Sequence, residues 1–221
     1  MTDRVLLAVA LCATACAKPT PTRFTTGGDE VPAESRHTYR WSFDDAAAGS
    51  LPPDFLSILG DWTTERDPTA PSAPNVVRQT GAFKSPDFPR VIVKSLTFTD
   101  VTVRVRCRPD KGDIDRACGI VFRAKDSDNY YLTRANALED NVRMYHVVSG
   151  DRQEFASADL TVTTGQWHTL EVTARGTQLG VSWDGHPVLD ASDATFAKGK
   201  IGLWTKADSV TAFDDLEAVA R

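Results

Sequence analysis

Residues 118–155, CGIVFRAKDSDNYYLTRANALEDNVRMYHVVSGDRQEF, decide the fold of this protein. Apolar and polar residues alternate along the stretch, and turn-forming residues interrupt it at 126–128 and 149–151. Valine, isoleucine, tyrosine and phenylalanine are frequent, as in strands, and no helical period is sustained. The stretch therefore predicts consecutive antiparallel strands joined by turns.

The same pattern extends in both directions, with short candidate strands at roughly 10-residue spacing between residues 37 and 221. Ten of the twelve prolines precede residue 91, which indicates that the first third of the chain is rich in loops. No internal repeat divides the sequence. We therefore predict an all-β fold, a single antiparallel β-sandwich domain of the jelly-roll type over residues 37–221.

Three later segments add to the pattern: GQWHTLEVTARGTQLGVSWDGHPVLDA at 165–191, FAKGKIGLWTKADS at 196–209 and VTAFDDLEAVA at 210–220. Together with residues 118–155, they resemble the laminin-G-like and concanavalin A-like jelly-roll superfamily of secreted bacterial proteins. The resemblance includes relatives named for 3-keto-disaccharide hydrolase activity. It implies a concanavalin A-like fold, which hosts lectins, binding modules, adhesins and glycosidases.

The composition is that of a soluble globular protein, since 41% of the 221 residues are hydrophobic and 25% are charged. Lys and Arg number 25 against 30 Asp and Glu, which gives a net charge of −5. This balance excludes a generally basic nucleic-acid binder, and we expect no nucleic-acid partner.

Residues 1–16, MTDRVLLAVALCATAC, have the pattern of a secretory signal peptide, with an apolar run at 5–15 that is too short to span a bilayer. The run ends in ATAC at 13–16, which resembles a bacterial lipobox with alanine in place of the usual leucine. We expect lipidation of Cys16 and anchoring at the cell envelope, and the alternative is an ordinary signal peptide with an incidental cysteine. Residues 17–36 are predicted to form a flexible tether.

Four cysteines occur, and the signal peptide and the lipid anchor account for Cys12 and Cys16. The other two, Cys107 and Cys118, each lie on the apolar face of a predicted strand, with a turn between the strands. If these strands are antiparallel neighbours, both sulfurs lie on the same side. We therefore predict a disulfide, with two buried thiols as the alternative.

A group of polar and aromatic residues indicates a ligand site on the solvent-facing side of the predicted strands. Tyrosine rings can lie against the C–H patches of a sugar, while arginine and asparagine hydrogen-bond its hydroxyls. The alternative is a charged outer face that only keeps the sheet soluble. The predicted saccharide-binding residues are Arg123, Tyr131, Arg134, Asn136, Arg143 and Tyr145, with Trp204 as an outward-facing stacking platform or, alternatively, a ring covered by a loop.

Catalytic motifs are missing from this sequence. The Glu-x-Asp-x-x-Glu run of laminarinase-type relatives does not occur, and the acidic residues at 214–217 have the wrong spacing. The chain also lacks a Gly-x-Ser-x-Gly elbow, a phosphate loop and a His-Glu-x-x-His motif. We therefore favour a non-catalytic glycan-binding lipoprotein of the cell envelope. The alternatives are a glycoside hydrolase acting on 3-keto-disaccharide-type substrates and a laminin-G-type protein-binding or adhesion module.

Two acidic pairs raise the question of a cation site. The first and last strands of such sandwiches commonly run side by side, which would bring Asp44 and Asp45 close to Asp214 and Asp215. Carboxylates and backbone carbonyls are the oxygen ligands that Ca²⁺ prefers. A structural calcium ion is one hypothesis for these residues, and two solvated acidic pairs are the other.

Overall fold

The computed structural model of the protein describes residues 29–30 and 37–221. The predicted signal peptide, the lipidation site at Cys16 and most of the predicted tether at 17–36 lie outside the described residues. Within the described ranges all regular elements are strands. These residues include no helix that is long and apolar enough to cross a membrane.

Seven antiparallel strands form the first sheet, and residues 118–155 build one side of it, from the central strand to one edge. Four strands within residues 117–159 follow one another as consecutive hairpins, as the alternation in residues 118–155 predicts. In spatial order the strands are β12 (Asp151–Asp159), β11 (Asn141–Val148), β10 (Asn129–Asn136), β9 (Ala117–Asp126), β16 (Lys200–Trp204), β6 (Arg90–Val93) and β3 (Phe55–Leu59).

Eight strands form the second sheet, which is also antiparallel, and a short parallel pair lies outside both sheets. In spatial order the second sheet contains β15 (His186–Ser192), β14 (Gln178–Trp183), β13 (His168–Arg175), β8 (Val101–Lys111), β17 (Val210–Ala220), β5 (Asn75–Gln79) and β4 (Trp62–Arg66). The eighth strand, β2 (Thr38–Trp41), pairs with a different part of β17 than β5 does. The separate pair consists of β1 (Asp29–Glu30) and β7 (Leu96–Thr97).

The core lies between the two sheets and is built from alternating side chains of both. Val103 and Val105 of β8 and Ile120 and Phe122 of β9 are completely buried in the same apolar cluster. Because successive side chains of a strand point to opposite faces, the residues between them lie on the outer faces of the sandwich. The all-β antiparallel sandwich predicted from the sequence is confirmed.

A disulfide joins Cys107 to Cys118, which confirms the predicted pairing. The predicted strand arrangement is wrong, however, because β8 belongs to the second sheet and β9 to the first. The two cysteines meet because each points inward from its own sheet, with Cα atoms 6.2 Å apart. The bond therefore crosses the core and links the two layers covalently.

Replacing Cys107 and Cys118 with alanine is expected to lower the free energy of unfolding by about 3 kcal/mol. The bond spans a sequence separation of 11 residues, and losing a closed loop of this size frees the unfolded chain by about that amount. Urea denaturation of the oxidised wild type and the double variant measures the difference. The wild type reduced with dithiothreitol is the control and should match the variant, whereas equal midpoints for all three proteins would contradict the prediction.

Candidate functional site

The outer face of the first sheet carries a row of residues that crosses five strands. Strand register places Arg90 opposite Trp204, Trp204 opposite Gly119, and Gly119 opposite Arg134. Arg134 in turn lies opposite Arg143 on β11. Paired residues in a sheet share a face, so regular antiparallel pairing alone brings these side chains together.

We call this surface the arginine face. Besides the row described above, it includes residues two positions along each strand, which project on the same side. Its members are Arg90, Tyr130, Arg134, Asn141, Arg143, Tyr145, Arg152, Glu154 and Trp204, with Glu139 at the adjoining turn.

Trp204 forms the floor of the arginine face. A Cβ atom at Gly119 would lie 3.0 Å from the Trp204 ring and 2.9 Å from the Thr133 carbonyl oxygen, so glycine allows the indole to lie flat over β9. Phe88 stacks on the Trp204 ring with centroids 5.6 Å apart, and the tryptophan is completely buried. Trp204 projects outward as predicted, and of the two alternatives the ring covered by a loop is confirmed, because Phe88 lies over it, whereas the exposed stacking platform is wrong.

Arg134 is held at the centre of the face by three acceptors and is only 3% exposed. Its guanidinium donates to the Asn141 side-chain oxygen, to Glu139 Oε2 at 2.7 Å and to the Tyr145 hydroxyl at 3.1 Å. Each donor points to a different partner, so the position of the group is fixed. Arg134 therefore organises the face around it.

Arg143 lies at the surface of the same face, with 32% of its side chain exposed. Its Nη1 atom is 3.2 Å from Glu154 and 3.6 Å from Glu139, the carboxylate that Arg134 also binds. Burial alone would raise the pKa of Glu139, but the charge and hydrogen bond of Arg134 outweigh it and lower that pKa. Glu139 is thus held as a carboxylate between two arginines.

Arg152 was not among the residues predicted from the sequence. Its guanidinium lies over the Tyr145 ring, 4.6 Å from the centroid, and over the Phe88 ring at 4.8 Å. Both contacts have cation–π geometry. The alternation of β12 could have revealed it, since Arg152 and Glu154 project on the same side, but Phe88 comes from a loop and could not have been placed.

Three donors on the arginine face have no acceptor in the described part of the chain, namely Arg143 Nε, Arg152 Nη1 and Trp204 Nε1. Arg143 Nε and Arg152 Nη1 are both buried, and neither makes a hydrogen bond there. A buried donor without an acceptor costs about 1–3 kcal/mol, so such groups usually have a partner. Both arginine atoms therefore lack the partner that buried donors usually have.

Asn136 lies at the edge of the arginine face and supports a buried ion pair. Its side-chain nitrogen donates to Asp115 Oδ1 at 3.0 Å, while Lys206 Nζ lies 2.7 Å from Asp115 Oδ2. Its side-chain oxygen accepts from the backbone N–H of Leu138. Burial raises the pKa of Asp115, which is only 1% exposed. Asn136 is buried and fastens the turn beside the site, so its predicted solvent-facing position is wrong.

Arg123 is inside the protein, so its predicted solvent-facing position is also wrong. It is 1% exposed and donates to the backbone carbonyls of Thr99, Gly176 and Phe196 at 2.7–3.1 Å. Its Nη2 atom lies 3.3 Å from Asp100. The backbone at Arg123 adopts a φ of 48°, which breaks the strand alternation on which the prediction depended. Arg123 fastens three loops at one end of the sandwich.

Tyr131 likewise points into the core, together with Ala135 on the same strand. Its hydroxyl donates to Asp193, accepts from the backbone N–H of Phe196 at 3.1 Å, and is fully buried. His146 Nδ1 lies 3.1 Å from the other oxygen of Asp193. The predicted exposed position of Tyr131 is wrong, because the residue anchors the loop that follows β15.

Two of the four acidic residues considered for calcium have protein partners. Asp214 is completely buried and accepts from the backbone N–H and hydroxyl of Ser72 at 2.9 and 3.1 Å, and burial raises its pKa to about 6. Asp44 accepts from the backbone N–H of Asn75 at 3.2 Å. Over residues 37–221, no three His, Cys, Asp or Glu side chains are grouped closely enough to hold a metal ion. Calcium binding by Asp44, Asp45, Asp214 and Asp215 stays a prediction.

Two packed antiparallel sheets with this strand order define a concanavalin A-like jelly roll, the fold of many carbohydrate-binding modules and glucanases. The chain belongs to the family of 3-keto-alpha-glucoside-1,2-lyase-like domains, whose sequence pattern matches residues 57–218. The family resemblance noted in the sequence is thereby confirmed. No curated protein matches the chain.

Solved structures agree with this fold at low sequence identity. The carbohydrate-binding module CBM66 from Bacillus subtilis has a TM-score of 0.63 at 20% identity, over 74% of this chain and 94% of its own. A Bacillus subtilis protein with a galectin-like fold gives 0.59 at 10% identity, over 82% and 94%. A Bacillus licheniformis β-glucanase gives 0.55 at 12% identity, over 89% and 100%.

Replacing Asp193 with asparagine is expected to lower the free energy of unfolding by about 2 kcal/mol at pH 7, and by progressively less between about pH 4 and pH 2. Burial alone would raise the pKa of Asp193, but hydrogen bonds from Thr195, Tyr131 and His146 outweigh it and hold the pKa at about 2. A carboxyl whose pKa is lowered by folding stabilises the protein above its unfolded-state pKa, and that stability is lost as the pH falls.

Urea denaturation of both proteins across this pH range measures the effect of the Asp193 substitution. Other groups also titrate there, so the quantity compared is the difference between wild type and variant. Asp190→Asn, which changes an exposed carboxyl on β15, is the matched control and should show no such trend. A stability difference for Asp193→Asn that stays constant from pH 7 to pH 2 would be inconsistent with this role.

Proposed function

We propose that the arginine face binds a saccharide and that the protein is a non-catalytic carbohydrate-binding module. The observation that carries this proposal is the pair of buried donors, Arg143 Nε and Arg152 Nη1, which lack acceptors in the described part of the chain. Sugar hydroxyls are suitable acceptors, and they can in turn donate to Glu154, which is 40% exposed beside Arg143.

The shape of the face also suits a sugar. Tyr145 and Trp204 are buried and held by aromatic and arginine contacts, so the surface is rigid before a ligand arrives. Binding at a preorganised surface loses little side-chain entropy. Leu138 is 44% exposed in the turn next to Glu139 and offers apolar surface to sugar C–H groups.

The state of the carboxylates at this face supports binding without catalysis. A general acid or base needs a pKa near the working pH and must reach the reacting atoms. Glu139 has a lowered pKa and is shared by two arginines, so it is a weak base. Asp115 has a raised pKa, but it is sealed from solvent and paired with Lys206.

Lyase or hydrolase activity on a 3-keto-α-glucoside is the second candidate function, and the family match over residues 57–218 favours it. The reaction in the family name would need a base that reaches the sugar ring. Glu154 and Glu139 are both exposed, but two arginines hold Glu139, whereas Glu154 has only Arg143, at 3.2 Å. Product formation from a 3-keto-α-glucoside, lost in Glu154→Gln, would support this candidate over a pure binding role.

A cellular location for the protein is proposed from the sequence of residues 1–36. We infer export to the cell envelope, lipidation at Cys16 and a tether that holds the domain away from the membrane. The disulfide between Cys107 and Cys118 supports an oxidising compartment. A glycan-binding domain on a lipid anchor would hold envelope polysaccharide near the membrane surface.

Arg143→Ala is expected to weaken saccharide binding about tenfold or more, because the ligand then loses a charged donor at the centre of the face. A glycan array identifies the ligand, and calorimetric titration of the strongest hit measures the affinity. Tyr145→Phe, which keeps the buried ring and removes only the hydroxyl that Arg134 binds, should weaken binding less. Arg175→Ala, at an exposed arginine of the second sheet, is the matched control and should bind normally.

The stability of these variants separates binding from folding. Arg143→Ala should change the free energy of unfolding by about 0.5 kcal/mol or less, as expected for a partly exposed side chain. The proposal fails if the array gives no glycan hit, or if Arg143→Ala binds the strongest hit as tightly as the wild type does.

Cys16→Ser is expected to move the protein from the detergent phase to the aqueous phase when producing cells are extracted with a phase-separating detergent. The substitution removes the thiol that would carry the lipid, and an apolar run of this length does not span a bilayer. Cys12→Ser removes a cysteine inside the signal sequence and should leave partitioning unchanged. If Cys16→Ser still enters the detergent phase, the anchor lies elsewhere or does not exist.

A further inference from the structure

The second sheet has a cleft on its outer face, on the opposite side of the sandwich from the arginine face. It has a volume of about 370 Å³, within the range of about 300–1,000 Å³ that is usual for small-molecule sites. Its lining comes from β2, β8, β13 and β17. None of the side chains described so far as part of the arginine face reaches it.

A change of partners by β17 creates the cleft. Residues 211–213 of this strand pair with β5, whereas residues 216–219 pair with β2. Between these segments the register with β8 shifts, and Asp215 adopts a φ of 47°. Bulges with a left-handed residue re-aim side chains and are frequent at functional sites. Here the bulge opens the sheet surface and places Asp215 at the cleft.

Three arginines line the cleft, and two of them already share a carboxylate partner. Arg40 Nε lies 2.7 Å from Glu217 Oε2, and Arg104 Nη2 lies 2.6 Å from Glu217 Oε1. One carboxylate therefore holds both guanidinium groups in place. This arrangement leaves the third arginine as the available cation of the cleft.

Arg106 is that third arginine, and its guanidinium has no hydrogen-bond or ion-pair partner among residues 37–221. Its Nε atom is buried within the cleft wall. Strand register places Asp214 opposite Arg106, but that carboxylate is committed to Ser72 and to the backbone N–H of Asp215. Arg106 Nε is thus a buried donor for which the described residues provide no acceptor.

Asp215 supplies the complementary group. Its carboxylate lines the same cleft and accepts no hydrogen bond from the described residues. Ser42 and Thr169 add hydroxyl groups to the lining. The cleft therefore combines a free guanidinium, a free carboxylate and two hydroxyls.

This combination selects for a neutral ligand with several hydroxyl groups. The three arginines of the cleft are balanced by Asp215, by Glu217 and by Glu171, whose Oε2 atom lies 4.0 Å from Arg104, so neither an anion nor a cation gains attraction from a net charge. A hydroxyl can accept from the guanidinium and donate to the carboxylate at the same time, and neighbouring ring hydroxyls match the planar fork of arginine. A pyranose ring carries such hydroxyls on adjacent carbons.

We propose that this cleft is a second saccharide-binding site, in which Arg106 and Asp215 hold neighbouring hydroxyls of one sugar ring. The site stands independently of the arginine face, because the two surfaces share no residue. Two sites on opposite faces would let one domain bridge two glycan chains, or bind one repetitive polysaccharide with greater avidity than either site alone gives.

NMR titration of the ¹⁵N-labelled protein tests the site with defined probes. The neutral probes are the methyl α-glycosides of glucose, galactose and mannose, and glucuronate and glucosamine are the charged counterparts on the same ring. At least one neutral probe should cause saturable shifts in the amide signals of Ser42, Thr169 and Glu217. Both charged probes should bind there at least tenfold more weakly than the best neutral probe.

Two variants assign the shifts to the proposed groups. Asp215→Asn keeps the size of the side chain and tolerates the left-handed backbone, and Arg106→Gln keeps a polar donor in the sheet. Each should weaken the cleft titration at least tenfold, while Arg143→Ala leaves it unchanged. Saturable shifts that survive both variants would overturn the proposal, as would the absence of such shifts with every neutral probe or tighter binding of glucuronate or glucosamine.

Discussion

A guanidinium group taken out of water must keep its N–H donors hydrogen-bonded, and this constraint shapes the protein on both sides of its core. Arg123 meets it with three carbonyls and Asp100, and thereby closes one end of the sandwich. Arg108 meets it with Asp67 and Asp110, which fastens a loop over the second sheet. Arg143 and Arg106 retain buried donors without acceptors, each on a different outer face. Each of the two proposed saccharide sites contains one of these donors without an acceptor.

Much of the fold could be predicted from the sequence, because strand alternation and turn residues are local signals. The disulfide partner could also be predicted, since only Cys107 and Cys118 remained for the domain. The sheet to which each strand belongs could not be predicted. Strands that are adjacent in sequence can pack across the core as readily as they pair by hydrogen bonds. That is why the predicted neighbours β8 and β9 lie in opposite sheets.

The candidate site was predicted in part. Arg134, Arg143 and Tyr145 lie together because β10 and β11 keep a regular register. Arg123 itself adopts a left-handed backbone conformation, which turns its side chain inward. No alternation pattern reveals such a change. Arg152 follows the alternation of β12 and could have been included. The cleft at Arg106 and Asp215 depends on a bulge and on strands from distant parts of the chain, so local patterns carry no signal of it.

Strand β17 also has a consequence for how the chain is made. It lies between β8 on one side and β5 and β2 on the other, and Arg40 contacts Glu217 across 177 residues of sequence. A ribosome releases β2, β5 and β8 long before residues 210–220 appear, so the second sheet lacks a central strand until then. Pairings over such distances form slowly. The second sheet therefore cannot be completed until residues 210–220 are available to pair with strands from three distant parts of the chain.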